Sequence, residues 1–156
     1  MTKFNKIFIL LALFLLFSNC GYTPIFSKKD VNFTIENIKF LGDKDIKEII
    51  NQTFSGYKNK TDEENKISLV IASSQNITIA SKNSKGEAQT KKVSIDVNVK
   101  IILDENNFLE KNFYKSSIYS VIDRKSEQKI IENKLIENLS SEIAQHIIFE
   151  ILKNTK

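Results

Sequence analysis

The chain has one cysteine, one histidine, one proline, four glycines and no tryptophan in 156 residues. A single cysteine excludes a disulfide-stapled fold, so stability must come from a packed core. One histidine and one cysteine cannot furnish a zinc-type ligand set. His146 lies beside Ile147 in a stretch with helical spacing. Catalysis by histidine needs an oriented partner, and no local pattern supplies one. The glycines at 21, 42, 56 and 86 are isolated, which excludes a phosphate-cradling loop. The carboxylates fall on turns and on solvent-facing positions. Together these absences predict a protein that is not an enzyme and holds no metal. No repeat and no linker-like segment interrupts the chain, which reads as one domain. The formal charge is only +4, and Lys3 and Lys6 supply two of those charges. That is too little to point to nucleic acid.

What is present begins at the N-terminus. Lys3 and Lys6 precede an unbroken apolar run from Ile7 to Phe17, followed by Ser18, Asn19 and Cys20. A positive start, an apolar run of roughly 7–15 residues and a small-residue exit form the layout of a secretory signal. The run is too short to cross a bilayer, which takes about 20 apolar residues. A cysteine at its exit points to a bacterial lipoprotein, in which the thiol is acylated and the signal is cut just before it. Residues 1–19 are then the signal and Cys20 the lipid attachment site. The four residues ending at the cysteine, Phe17-Ser18-Asn19-Cys20, depart from the usual Leu-small-Gly/Ala-Cys, with Leu16 one place early. Each buried CH₂ contributes about 0.8 kcal/mol, so two or more acyl chains hold firmly where one does not. Gly21 follows the cysteine. An Asp there often marks retention in the inner membrane, so Gly21 is compatible with the outer one.

The rest of the chain reads as one α+β domain, residues 31–156, behind a leader, residues 20–30. Alternating apolar residues predict a strand over Val31–Leu41 with a bulge near Asn37. Gly42 ends it and Asp43 caps a helix over Lys44–Ser55, which Gly56 terminates. Lys58 to Lys66 is a charged loop. Ile67, Leu69, Ile71, Ile77 and Ile79 share one parity, as do Val93, Ile95, Val97, Val99, Ile101 and Leu103. With a turn at Asn83-Ser84-Lys85-Gly86 they predict a long hairpin with one buried and one wet face. Its arms run about 50 Å at 3.3 Å per residue, and the polar tip projects past the core. A fourth strand follows over Phe108–Val121. Asp123 then caps a helix over Arg124–Leu152 whose stripe is Ile131, Leu135, Leu139, Ile143, Ile147 and Ile151. The order β-α-β-β-β-α predicts two helices on one face of a mostly antiparallel four-stranded sheet. Residues 147–152 are apolar nearly all round and need cover on more than one side.

One charge cluster stands apart. Lys82, Lys85, Lys91 and Lys92 surround the hairpin tip, opposed only by Glu87. Lysine is a flexible point charge suited to diffuse phosphates. The cluster reads either as a solvated turn or as a contact for anionic groups such as lipid phosphates.

The mature start, Cys20-Gly21-Tyr22-Thr23-Pro24-Ile25-Phe26, resembles the Cys-Gly-Phe/Tyr-x-Pro-Leu-Tyr opening of the lipopolysaccharide (LPS)-assembly lipoproteins, the LptE family. The element order and the Ser117-x-Tyr119 pair ahead of a long terminal helix are similar too. The resemblance implies an outer-membrane lipoprotein facing the periplasm, anchored by an N-acyl diacylglyceryl group on Cys20 and needing no other cofactor. It implies a plug that helps assemble the LPS-translocating β-barrel (LptD) and binds LPS. The alternatives are an auxiliary lipoprotein of an intermembrane phospholipid transporter or of the barrel-assembly machinery, and an enzyme or carbohydrate-binding lipoprotein. The anchor is checked by metabolic labelling: the wild-type chain should incorporate radioactive palmitate, and Cys20→Ala should incorporate none.

Overall fold

The computed structural model describes residues 33–58, 65–104 and 106–155. The predicted signal, Cys20, the leader and most of the charged loop after Lys58 lie outside them. The element order is β1 (Phe33–Gly42), α1 (Lys44–Phe54), β2 (Asn65–Lys82), β3 (Ala88–Asp104), β4 (Asn107–Ser120) and α2 (Lys125–Asn154), with a short 3₁₀ turn at Ser55–Tyr57. The strands form one sheet in the order β1-β2-β3-β4. β1 runs parallel to β2, and the other two pairings are antiparallel. This is the expected α+β arrangement.

β1 carries the predicted irregularity. Its register against β2 slips between Ile35 and Asn37. The extra residue, Glu36, lets Ile38 and Phe40 follow Phe33 and Ile35 onto one face despite their change of parity. Phe33 stacks on Tyr57 with ring centroids 5.6 Å apart, tying the start of β1 to the chain that leaves α1.

β1 stops at Gly42, whose φ is +102°. A Cβ there would stand 1.9 Å from the Ser73 carbonyl oxygen. Asp43 turns the chain into α1, its Oδ1 accepting from the Asp45 and Ile46 amides at 3.0 and 3.2 Å. Ile46, Ile50 and Phe54 point into the core. Gly56 does not end α1 through a left-handed residue: the positive-φ glycines among the described residues are Gly42 and Gly86. The helix instead tightens into the 3₁₀ turn.

β3 is the central strand of the core. Val93, Ile95, Val97, Val99 and Ile101 are wholly buried, each opposite β2 on one side and β4 on the other. α2 lies on that face. Ile136, Leu139, Ile143, Ile147 and Ile151 are buried, with Ser140, Ala144 and Ile148 beside them. The stripe therefore differs from the predicted one at its start. Ile131 and Leu135 are only half-buried and Ile136 replaces them, because a four-residue step drifts round a 3.6-residue helix. The helix N-cap is Arg124, with no side-chain cap bond, and not Asp123. Phe149 faces outward at 55% exposure. Among the described residues no helix is long and apolar enough to cross a membrane.

Gly42→Ala adds a side chain at a left-handed φ and drives it into the backbone of Ser73. A left-handed non-glycine residue alone costs about 1–2 kcal/mol, and the overlap adds to it. Thermal unfolding followed by circular dichroism should show Gly42→Ala less stable than Gly86→Ala, whose Cβ would meet nothing within 4 Å.

Candidate ligand-binding surface

The hairpin tip is built by one side chain. Asn83 Oδ1 accepts from the amides of Lys85 and Glu87, each at 3.0 Å. Its Nδ2 donates to Glu87 Oε2 at 2.9 Å. The backbone closes with Asn83 N to Glu87 O and Gly86 N to Asn83 O, and Gly86 supplies the positive φ. The tip is thus an ordered turn that holds Lys82 and Lys85 out in solvent. Neither lysine has an ion-pair partner among the described residues.

The other two predicted lysines part company. Lys91 and Lys92 are consecutive in β3, so their side chains leave opposite faces of the sheet. Lys91 lies on the helix side and pairs with Glu132 of α2 at 3.6 Å. Glu132 also accepts from the Tyr119 hydroxyl at 2.5 Å and from Gln128 Nε2 at 3.0 Å. Gln128 in turn accepts from the Ile122 amide at 2.9 Å. The Tyr119 bond, helped by Gln128 and Lys91, holds the Glu132 carboxyl below its usual value. Burial, and then the Glu132 acceptor, push the Tyr119 hydroxyl up to about 12. This group latches the first turns of α2 to β3 and β4, so Lys91 has a structural task.

Lys92 belongs to the open face. Opposite it and beside it, the register of β3 and β4 collects Ser94, Asp96, Asn112, Tyr114 and Ser116. Asn112 Nδ2 donates to Asp96 Oδ1 at 2.8 Å. Hydrogen bonding to Ser116, and then the charge of Lys92, favour ionised Tyr114 and lower its hydroxyl pKa. Tyr114 and Ile118 are 53% and 62% exposed. The result is a flat polar patch carrying a cation, hydroxyls, an amide–carboxylate pair and an exposed tyrosine ring, and further along the same face Lys100 lies over the exposed Phe108 ring at 3.7 Å. Such a face can hydrogen-bond a polar headgroup and pair with one phosphate. Its β4 members were missed in the sequence because only the register puts Tyr114 opposite Asp96 and Ser116 opposite Ser94. Polar residues on the wet parity of β4 were the available signal.

No family model matches the chain, and no curated protein matches it. Solved structures do. Rare lipoprotein B from Shewanella oneidensis superposes with a TM-score of 0.58 at 13% identity, over 77% of this chain and 96% of that one. An uncharacterized lipoprotein B from Nitrosomonas europaea gives 0.57 at 16% identity, over 80% and 88%. A minor lipoprotein from Acinetobacter baumannii gives 0.55 at 13%, over 77% and 92%. The likeness is one of fold, and it takes in nearly the whole of each of those chains.

Because Glu132 titrates lower in the folded chain than in the unfolded one, its stabilisation is complete above the ordinary value of 4.5. It is lost as pH falls through the lowered value. Melting curves from about pH 6 down to about pH 3 should show a steeper loss of stability for the wild type than for Glu132→Gln. The variant should also melt lower at neutral pH. Parallel wild-type and variant curves would remove Glu132 from this role.

Proposed function

We propose that this chain is a lipid-anchored accessory lipoprotein of LPS assembly, held at the periplasmic face of the outer membrane through Cys20. In this reading it plugs and helps assemble the LPS-translocating β-barrel, and binds LPS on its way to the surface. It performs no reaction and needs no cofactor beyond the acyl groups. The observation that carries the proposal is the fold shared with the lipoprotein B structures over nearly their whole length. The resemblance of Cys20-Gly21-Tyr22-Thr23-Pro24-Ile25-Phe26 to the LptE opening points the same way.

The geometry is compatible with that work. A sheet-and-helix wedge with one polar face and a projecting hairpin suits a wide barrel lumen, which is polar in such proteins. LPS offers phosphates and sugars. Lys82, Lys85 and Lys92 are the cations available to the phosphates, and the Asp96–Asn112 pair and Tyr114 to the sugars. Single exposed ion pairs contribute about 0–1 kcal/mol, so the lysines must act together.

The experiment uses the full chain extracted in mild detergent. It should bring a large β-barrel protein with it and bind purified LPS in a salt-sensitive way. Lys82→Ser, Lys85→Ser and Lys92→Ser combined should weaken LPS binding and flatten its salt dependence. Lys91→Ser should chiefly lower the melting temperature. A chain recovered alone, with LPS binding untouched by the triple change, would sink the proposal.

A further inference from the structure

One end of the sheet is made by residues 79–92, the hairpin tip, and 118–132, the end of β4 with the first turns of α2. Lys82 stands opposite Ala88, and Thr90 opposite Ser120. The Val121 amide donates to the Gln89 carbonyl at 3.0 Å, and the Ile122 amide to Gln128 of α2 at 2.9 Å. β1 does not reach this level: it stops at Gly42, opposite Ser73, while β2 runs on to Lys82 as a free edge. α1 starts beside Gly42 and runs the other way, delivering Tyr57 onto Phe33.

This end carries the excess charge of the described residues. Six lysines and Arg124 stand there against four carboxylates. Lys91 is matched by Glu132 and Arg124 by Glu127. Lys82, Lys85, Lys92, Lys125 and Lys129 have no ion pair among the described residues. Glu87 and Asp123 alone remain to offset them. Elsewhere among the described residues ten lysines face ten carboxylates. Exposed aliphatic side chains surround the same end. Ile79 lies on the helix side of β2, opposite Lys91, and Ile118 on the open side of β4, opposite Lys92. Val121 follows β4, and Ile130 stands outward on α2 at 65% exposure.

We propose that this end docks into the anionic headgroup layer of a phospholipid bilayer. Each lysine near such a surface strengthens attachment about fivefold, or about 1 kcal/mol. Aliphatic side chains among the lysines reach the boundary of the acyl chains. The arrangement selects a lipid layer over a folded partner. A rigid partner lies against one side of the sheet and leaves either Ile79 or Ile118 wet. A fluid layer closes round both faces at once. A barrel lumen also surrounds what enters it, but a polar lumen does not reward isoleucines. Asn83 already holds the turn in one shape, so its backbone needs no ordering on contact. The inference rests on this end alone and does not depend on the barrel reading.

The test uses the full chain on vesicles, with Cys20→Ser so that an introduced thiol is the sole one. The N-terminal apolar run is the same in every arm, and only the charge of the bilayer changes. A polarity-sensitive dye is placed at Ser84→Cys in the tip, or at Asn107→Cys at the opposite end of the sheet. One set of vesicles is phosphatidylcholine, and the other is phosphatidylcholine mixed with phosphatidylglycerol. The dye at position 84 should emit at shorter wavelength on the phosphatidylglycerol vesicles only. Salt at about 1 M, where the screening length is about 3 Å, should reverse the shift. Lys125→Ser with Lys129→Ser should lower the ratio of docked to free tip about 25-fold. These two lysines have no part in the LPS reading and the vesicles hold no LPS, so the two proposals fail separately. Ile79→Asn and Ile118→Asn should each reduce docking, although they lie on opposite faces. Equal spectra on both vesicles, an equal shift at position 107, or an effect of only one isoleucine overturns the inference. So does a shift that appears only when a β-barrel protein is supplied.

Discussion

The ladder between β2 and β3 is the constraint on which the rest depends. It is continuous from Ser68↔Ile102 to Ile79↔Lys91 and slips register only beside Ser81, near the tip, and strands of 18 and 17 residues extend about 55–60 Å at 3.3 Å per residue. Among the other described elements α2, whose 30 residues span about 45 Å, and β4, whose 14 residues extend about 46 Å, come nearest to that length. α1, at 11 residues, covers about 17 Å. The sheet therefore has a lower part covered by both helices and an upper part covered by α2 alone. β1 obeys the same division, since it ends where α1 begins, at Gly42 and Asp43.

That division explains why the two parts are held differently. Below, β1, β2 and both helices supply Phe33, Ile46, Phe54, Ile71, Ile147 and their neighbours, all buried, and apolar burial suffices. Above, β2 contributes half-open isoleucines and the helix stripe has not yet begun. The first turns of α2 are held by Tyr119, Glu132, Gln128 and Lys91, with Ile122 pinned through its amide. Each such hydrogen bond contributes on the order of 1 kcal/mol, more where a charge takes part. A buried tyrosine hydroxyl left without its acceptor would cost at least as much. The upper part thus depends on charge state in a way the lower part does not.

Much of this was legible in the sequence. Strict alternation from Val93 to Ile101 fixes the central strand and its buried face, because a strand's side-chain period admits one reading, whereas Leu103, beyond the Ile101-Ile102 pair, is only half-buried. Asp43 after Gly42 announced the turn into α1, and the change of parity near Asn37 announced the bulge. The failures share a cause. Spacing starts the α2 stripe at Ile131 because it shows which residues are apolar and not which one meets the sheet. Residue type alone favours Asp123 as a cap, while the chain places Arg124 there. Closeness in sequence groups the four lysines into one cluster. Consecutive strand residues point apart, so Lys91 went to the latch and Lys92 to the open face.

The separation of Lys91 from Lys92 also orders the functional surfaces. The helix face is spent on the core and on the latch, leaving the open face and the upper edge to meet other molecules. The open face is polar, with paired carboxylate, amide, hydroxyl and lysine groups able to hydrogen-bond without burying much area. The edge is uncharged along its middle, where Ile77 and Ile79 stand among neutral polar residues. One surface is therefore suited to a soluble or lipid-borne polar ligand, the other to a backbone. The face lies on β3 and β4 and the edge on β2 of the same sheet. What joins the two is the length of the hairpin, since shortening β2 to the level of Ser73 would remove the edge and the tip lysines together.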